Sequence, residues 1–416
     1  MKILVSAFAC SPLWGSEPSV GWNWARELAA EHEVTVLTHE YFRDHIEPAT
    51  EARQGRRLRF EYLAAAPRRG AFHEQLLNSQ TYYLRWQRAA RGRVLALLGR
   101  EPFDLVHHVT WGNFRWPVPL YGLGVPLVVG PLGGGERAPA SLYRGLPWRV
   151  RLKEVLRDLI IWTGAIDPWV QRGLGSARWV FCRTGQTIAA LPRSARGRAV
   201  IAHDIGAPEV PADADPVMQD AGAPGALRCL FVGRLLAWKG AHFALRAVQL
   251  LHRQGVDVRF TLVGSGELEV HLRGMAEQLG IGHLIDWRQG LARAEVMQLY
   301  RRHDVFLFPS LHDSGGTVVL ESLASGCPVV CVDLGGPPHF VNDSCGRVVQ
   351  ASDGDERAIP ARLAVALKAL ALDAPLRARL RAGALQQARA HSWPLRVAQA
   401  YRPVVQALAL NPRGSA

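Results

Sequence analysis

Short apolar runs alternate with longer amphipathic stretches along nearly the whole chain, and that alternation leaves few folds open. KILVSAF at 2–8, HEVTVLTH at 32–39, LRFEYLA at 58–64, DLVHHVT at 104–110 and PLVVG at 126–130 read as strands, as do RWVFCRT at 178–184 and RAVIAHD at 198–204. A loop over 15–21 and helical patterns over 22–31 and 73–98 separate the earlier ones. Most of the runs are apolar on both sides, the mark of parallel strands covered by crossover helices. The pattern lapses once, in GAPEVPADADPVMQDAGAPGA at 206–226, which has no apolar period. It then resumes, with strands at 227–233, 258–264, 283–289, 304–310, 328–334 and 347–349. Helices are expected over 241–254, 268–279, 293–302, 318–324, 358–372, 375–391 and 394–409. The expectation is α/β: two doubly wound, Rossmann-like parallel-sheet domains facing a central cleft. Residues 1–205 form the first, 206–226 a linker and 227–390 the second, with 391–416 a terminal helix crossing back to the first.

Composition narrows the class. Hydrophobic residues make up 48% of 416 and charged residues 20%, which excludes disorder as the main state. The net charge is +13, and residues 1–200 carry +11 of it. An excess confined to one half calls for an anionic surface or substrate met by that half. The six cysteines, at 10, 182, 229, 327, 331 and 345, form no CxxC pair and are expected to be buried, reduced thiols. The opening MKILVSAFAC lacks a cleavage site and reads as a strand, no apolar run is long enough for a transmembrane helix, and a cytoplasmic location is expected.

The strongest chemical signal is HDSGGTVVLESLASGCPVV at 312–330. Gly315 and Gly316 permit a tight turn, and Thr317 and Val318 open a helix whose free amides suit phosphate. Asp313 and Glu321 flank that turn, and ionised carboxylates accept hydrogen bonds from sugar and ribose hydroxyls. LFVGRLLAWKG at 230–240 places Arg234 and Lys239 after the strand ending at Gly233, two cations at the edge of the same sheet. Such a pair fits a diphosphate and can offset charge that grows as it leaves.

VGR-x4-KG, the acidic-x7-Glu motif and LA-x-G-x-PVV together resemble the family 4 retaining glycosyltransferases of the GT-B fold, group 1 type. GSEPSVGWNWARELA, the DLVHHVT strand and the HSW-led terminal helix are similar to that family too. The resemblance implies that Arg234 and Lys239 bind and stabilise the donor diphosphate, and that Glu321 holds the ribose. Asp313 stands where the family usually has Glu and would contact the donor sugar. Backbone at Gly315, Gly316, Thr317 and Val318 would meet phosphates and sugar, with Gly15 and Ser16 approaching from the first domain. His107 and His108 stand where the family carries a sugar-contacting histidine. Only one of two successive strand residues can face a cleft, and His108 is favoured. Loops at Gly264 and Gly290–Leu291 would lie beside the base, and residues 128–139 read as a mobile loop or a linker.

No metal or other cofactor is expected, since the two cations can carry the charge. Asp213/Asp215 and Asp353/Asp355 mimic a DxD metal motif but lie in polar loops. The expected partners are a nucleotide-diphospho-sugar donor, a glycan or lipid-linked acceptor, and no nucleic acid. Residues 82–100 and 142–162 mix arginine with tryptophan and aliphatic residues, which suits either an anionic membrane surface or a helix packed on its own sheet. Two other functions fit less of the pattern: a nucleotide-sugar epimerase or hydrolase of the same fold, and a basic nucleic-acid-binding protein.

Overall fold

The structure is a computed structural model and describes residues 1–51, 57–66, 74–211 and 225–410. It holds two parallel sheets. The first contains β1 (Lys2–Ala7), β2 (Glu33–His39), β3 (Leu58–Leu63), β4 (Leu105–Thr110), β5 (Leu127–Leu132), β6 (Trp179–Cys182) and β7 (Ala199–Ile201), in the order β3-β2-β1-β4-β5-β6-β7. The second contains β8 (Leu227–Val232), β9 (Val258–Val263), β10 (Ile285–Arg288), β11 (Val305–Phe308), β12 (Val329–Val332) and β13 (Gly346–Val349), in the order β10-β9-β8-β11-β12-β13. Every pairing within the two sheets is parallel. Strand order reverses between β1 and β4 and again between β8 and β11, the switch points at which such sheets open a crevice. The central strands β4, β5, β11 and β12 are buried along their whole length, β11 and β12 as unbroken apolar runs and β4 with His107, His108 and Thr110 enclosed as well.

The chain divides into two compact units. One comprises Met1–Gly135, Leu159–Ile205 and Trp393–Ala416, the other Glu136–Asp158 and Gly206–Ser392. This differs from the division at residue 205 expected above, because 136–158 packs with the second unit. Ser141 Oγ donates to the Gly354 carbonyl at 2.7 Å, and the Gly145 amide donates to Glu356 Oε1 at 3.0 Å. The terminal helix Trp393–Leu410 packs in the first unit against the helix Glu17–Glu31, and Tyr401 Oη meets His107 Nδ1 at 2.7 Å.

The first helix begins at Glu17, not at residue 22. Pro18 suits the first turn because its missing N–H would be unpaired there anyway, and Glu17 adds acid at the positive end. The pattern over 73–98 resolves into a short turn of helix, Glu74–Asn78, and the helix Gln80–Arg100, whose amide at Tyr82 donates to Ser79. The loop after β5 is held in place. The Gly133 amide donates to the Gly112 carbonyl at 2.7 Å, and that of Gly135 to Thr187 Oγ1 at 3.2 Å. All six cysteines are buried and unbridged. Of the linker, 206–211 and 225–226 are described, and Ala207 bonds to the His391 carbonyl. Asp213 and Asp215 lie outside the described residues.

Candidate functional site: the carboxyl edge of the second sheet

The loops following β8 and β11 are locked together. Leu311 N donates to the Trp238 carbonyl at 2.7 Å, and Ser310 Oγ donates to the same oxygen at 3.2 Å. Gly240 makes this approach feasible. Its φ is +72°, and a Cβ there would lie 2.0 Å from the Pro309 carbonyl oxygen. The clasp brings Lys239 onto Asp313, with which it forms a hydrogen-bonded ion pair. The Lys239 ammonium also lies 4.3 Å from the centre of the Trp238 ring and 5.0 Å from that of Phe308. Asp313 Oδ1 in turn accepts from the amides of Gly315 (3.2 Å) and Gly316 (3.3 Å). Burial opposes ionisation of Asp313, but Lys239 and these two amides outweigh it and hold the carboxyl below its ordinary value.

The sequence reading gave all four backbone groups at 315–318 to phosphate and sugar. The structure divides them: the Gly315 and Gly316 amides are taken by Asp313. The helix Thr317–Ala324 begins behind Gly316, and its first paired amide is that of Val319. Thr317 and Val318 therefore present the free N–H groups, among the described residues, at the positive end of this helix. Glu321, one turn further in, meets Arg293 at 3.0 Å. Burial raises the Glu321 carboxyl above its ordinary value, and Arg293 only partly offsets this. Arg234 is exposed after β8 and makes no ion pair among the described residues. Gly264 packs against Gly233, where a Cβ would lie 1.9 Å from the Gly233 carbonyl oxygen, so β8 and β9 end side by side. Gly290 is exposed and Leu291 half-buried in the loop after β10.

Sequence reasoning did not assign three neighbours. His312 stacks on Trp238, with ring centres 4.8 Å apart and planes at 23°. Its Nε2 meets Glu154 Oε2 at 3.0 Å. Trp238 and His312 stand beside residues the motifs had singled out, whereas Glu154 lies 158 positions from His312 and had no local signal.

In the first unit, Gly15 and Ser16 are exposed in the loop beyond β1, and Ser16 takes φ +57° immediately before the helix Glu17–Glu31. The two histidines of β4 correct the expectation that one is open to a cleft, since both are enclosed. His107 is 0% exposed, with Nε2 near the Gly130 carbonyl at 2.9 Å and Nδ1 near Tyr401. His108 is 2% exposed and faces the other side of the sheet, toward Tyr83 (3.2 Å) and Ser6 (3.4 Å). Burial pushes their pKa values down to about 3 and about 4, so both are neutral.

No group of His, Cys, Asp or Glu among the described residues could hold a metal ion. Asp353 pairs with Arg362 at 2.6 Å, and Asp355 accepts the amides of Arg357 and Ala358 at the start of the helix Ala358–Leu372. No helix among the described residues is long and apolar enough to cross a membrane.

Solved structures share this architecture across almost the whole chain. The Anabaena protein Alr3699/HepE, in complex with UDP and glucose, aligns with TM-score 0.56 at 16% identity, covering 98% of this chain and 100% of that one. WaaG, a glycosyltransferase involved in lipopolysaccharide biosynthesis, aligns with TM-score 0.54 at 18% identity, covering 96% and 98%. The fold is GT-B. Within it, residues 220–386 match the family model for glycosyl transferases group 1. D-inositol 3-phosphate glycosyltransferase of Paenarthrobacter aurescens (strain TC1) is 30% identical over 197 residues, 46% of this chain and 47% of that protein. Its counterpart from Corynebacterium glutamicum (strain R) is 32% identical over 175 residues, 41% of each. The chain thus matches less than half the length of these two relatives.

Proposed function

We propose that this GT-B protein is a retaining glycosyltransferase of family 4 type. It would move a sugar from a nucleoside-diphosphate donor to a glycan or lipid-linked acceptor, in cell-surface or exopolysaccharide synthesis on the cytoplasmic side. The observation that carries the proposal is the Lys239–Asp313 pair beside the free amides of Thr317 and Val318. Support also comes from the group 1 match over 220–386 and from the UDP and glucose bound by the Anabaena neighbour.

On this reading the donor diphosphate takes the Lys239 ammonium, the Arg234 guanidinium and the two free amides. Asp313, already bonded to Gly315 and Gly316, then turns its Lys239-facing oxygen to hydroxyls of the donor sugar. Glu321 accepts from the ribose, for which Arg293 must yield. The acceptor hydroxyl attacks on the face from which the diphosphate departs, and the departing phosphate takes the proton. Lys239 balances the charge that develops on that oxygen, so its contribution is greatest in the transition state. No step needs a metal or a cofactor.

Lys239→Ala should lower kcat on the order of 10²–10³-fold in sugar-transfer assays with a folded variant. Near-normal turnover would reject the assignment. Thermal-shift panels of UDP-, GDP-, ADP- and dTDP-sugars identify the donor, because a ligand that binds only the native state raises Tm.

A further inference from the structure

Trp238–His312 and Lys239–Asp313 are successive rungs between the two loops of the site. The first is a ring stack and the second an ion pair. The stacked rung has a further tie. Nε2 of His312 meets Glu154 Oε2 at 3.0 Å, and the two side chains are only 7% and 13% exposed. Glu154 belongs to 136–158, which packs with the second unit. The same Oε2 accepts from Arg157 Nε at 3.1 Å, and Arg157 is itself held by the Glu136 carbonyl (2.9 Å) and Asp158 (3.1 Å). Lys153 reaches Glu267 in the loop after β9, so 136–158 touches two loops of the carboxyl edge.

Burial opposes ionisation of Glu154, but His312 and Arg157 outweigh it and hold the carboxyl below its ordinary value. An ionised carboxylate only accepts, so Nε2 of His312 carries a proton and donates the hydrogen bond. The imidazole is thereby fixed at its edge by Glu154 and at its face by Trp238. Asp313 follows directly in the chain, and its carbonyl accepts from the Gly336 amide at 2.6 Å. Its backbone is thus held from both sides without help from Lys239. On the proposed reading the Lys239–Asp313 pair opens when the donor binds, just as the sugar must be aligned. The stacked rung remains, and Glu154 holds it.

We infer that Glu154, acting through His312, is a positioning residue for the sugar end of the donor: it keeps the Asp313 carboxylate aligned once Lys239 has turned to the diphosphate. The inference rests on the transferase reading. A Glu154 that merely fastened 136–158 to the second unit would matter for stability and not for turnover by folded protein.

The test measures kcat for donor cleavage, with water as the acceptor, on whichever of the UDP-, GDP-, ADP- and dTDP-sugars the thermal-shift panel selects. It also measures Kd for the matching nucleoside diphosphate. Glu154→Asp keeps the charge beside Arg157 but shortens the reach to His312. It should lower kcat on the order of tenfold, short of the ~10²-fold that a misplacement of about 1 Å can cost, at unchanged Kd. Glu154→Gln keeps the reach and an accepting oxygen, and should recover most of that loss. His312→Phe keeps a ring on Trp238 but has no N–H for Glu154, so it should match Glu154→Asp. The double variant should lose no more than either alone, as residues acting as a unit do. An unchanged kcat in folded Glu154→Asp would overturn the inference. So would a Gln variant as impaired as the Asp one, a Kd that weakens in step with kcat, or losses that multiply in the double variant. If His312→Phe misfolds, the contrast between Asp and Gln decides alone. Lys239→Ala separates the two readings. Turnover lost there but intact in Glu154→Asp rejects only the positioning role, whereas turnover intact in Lys239→Ala rejects the transferase reading and the positioning role with it.

Discussion

At the scale of single residues, the second unit sets two carboxylates in opposite electrostatic conditions a few positions apart. Asp313 is half-buried but compensated by a cation and two amides, so it is held ionised. Glu321 is half-buried with Arg293 as its partner, and that guanidinium is itself largely exposed, so compensation for lost hydration falls short and its pKa rises. A carboxyl whose pKa rises on folding destabilises the fold at pH values above the folded pKa, and the penalty fades as pH falls below its ordinary value. Glu321→Gln should therefore raise the apo Tm by ~1–3 °C near pH 7 and leave it unchanged below about pH 4. The same change should weaken donor binding, since a neutral amide accepts less strongly from a hydroxyl. Calorimetry of both proteins across pH, with a donor titration, checks both halves. A variant no more stable at neutral pH would mean that Arg293 compensates fully.

At the scale of elements, the site depends on two loops held at backbone distance. Gly240 permits this because no side chain intervenes before Pro309 and because its left-handed φ costs glycine little. Gly240→Ala should destabilise by roughly 2–4 kcal/mol, from the left-handed conformation together with the clash. Denaturant unfolding measures this. Because Lys239 precedes the affected turn, the residual folded protein should also bind donor more weakly. The motif was visible in sequence as a lysine before a glycine, and the neighbouring strands and helices were placed nearly to the residue, as for Arg293–Arg302 and Ala358–Leu372. Their apolar periodicity is local information. The Glu154–His312 contact was not visible, because no rule of local spacing links residues so far apart.

At the scale of the whole molecule, the chain leaves each unit and returns to it. The terminal helix Trp393–Leu410 closes the first unit, and Tyr401 supplies a hydroxyl to a histidine that burial keeps neutral. Tyr401→Phe leaves His107 Nδ1 buried without that partner and should cost about 1–3 kcal/mol. Chemical denaturation followed by fluorescence can measure the loss. An unchanged midpoint would show that the histidine needs no hydroxyl there.

The sequence by itself determined the class of both sheets, the break between their strand series and the positions of Lys239, Asp313 and Glu321 on loops and a helix at one edge. Each of these follows from neighbours within a few residues. Only the tertiary structure decided which amides remain free, that both β4 histidines are enclosed, and that 136–158 packs with the second unit and brings Glu154 to His312. Those outcomes depend on what packs against a residue from far along the chain, and a one-dimensional pattern does not contain that.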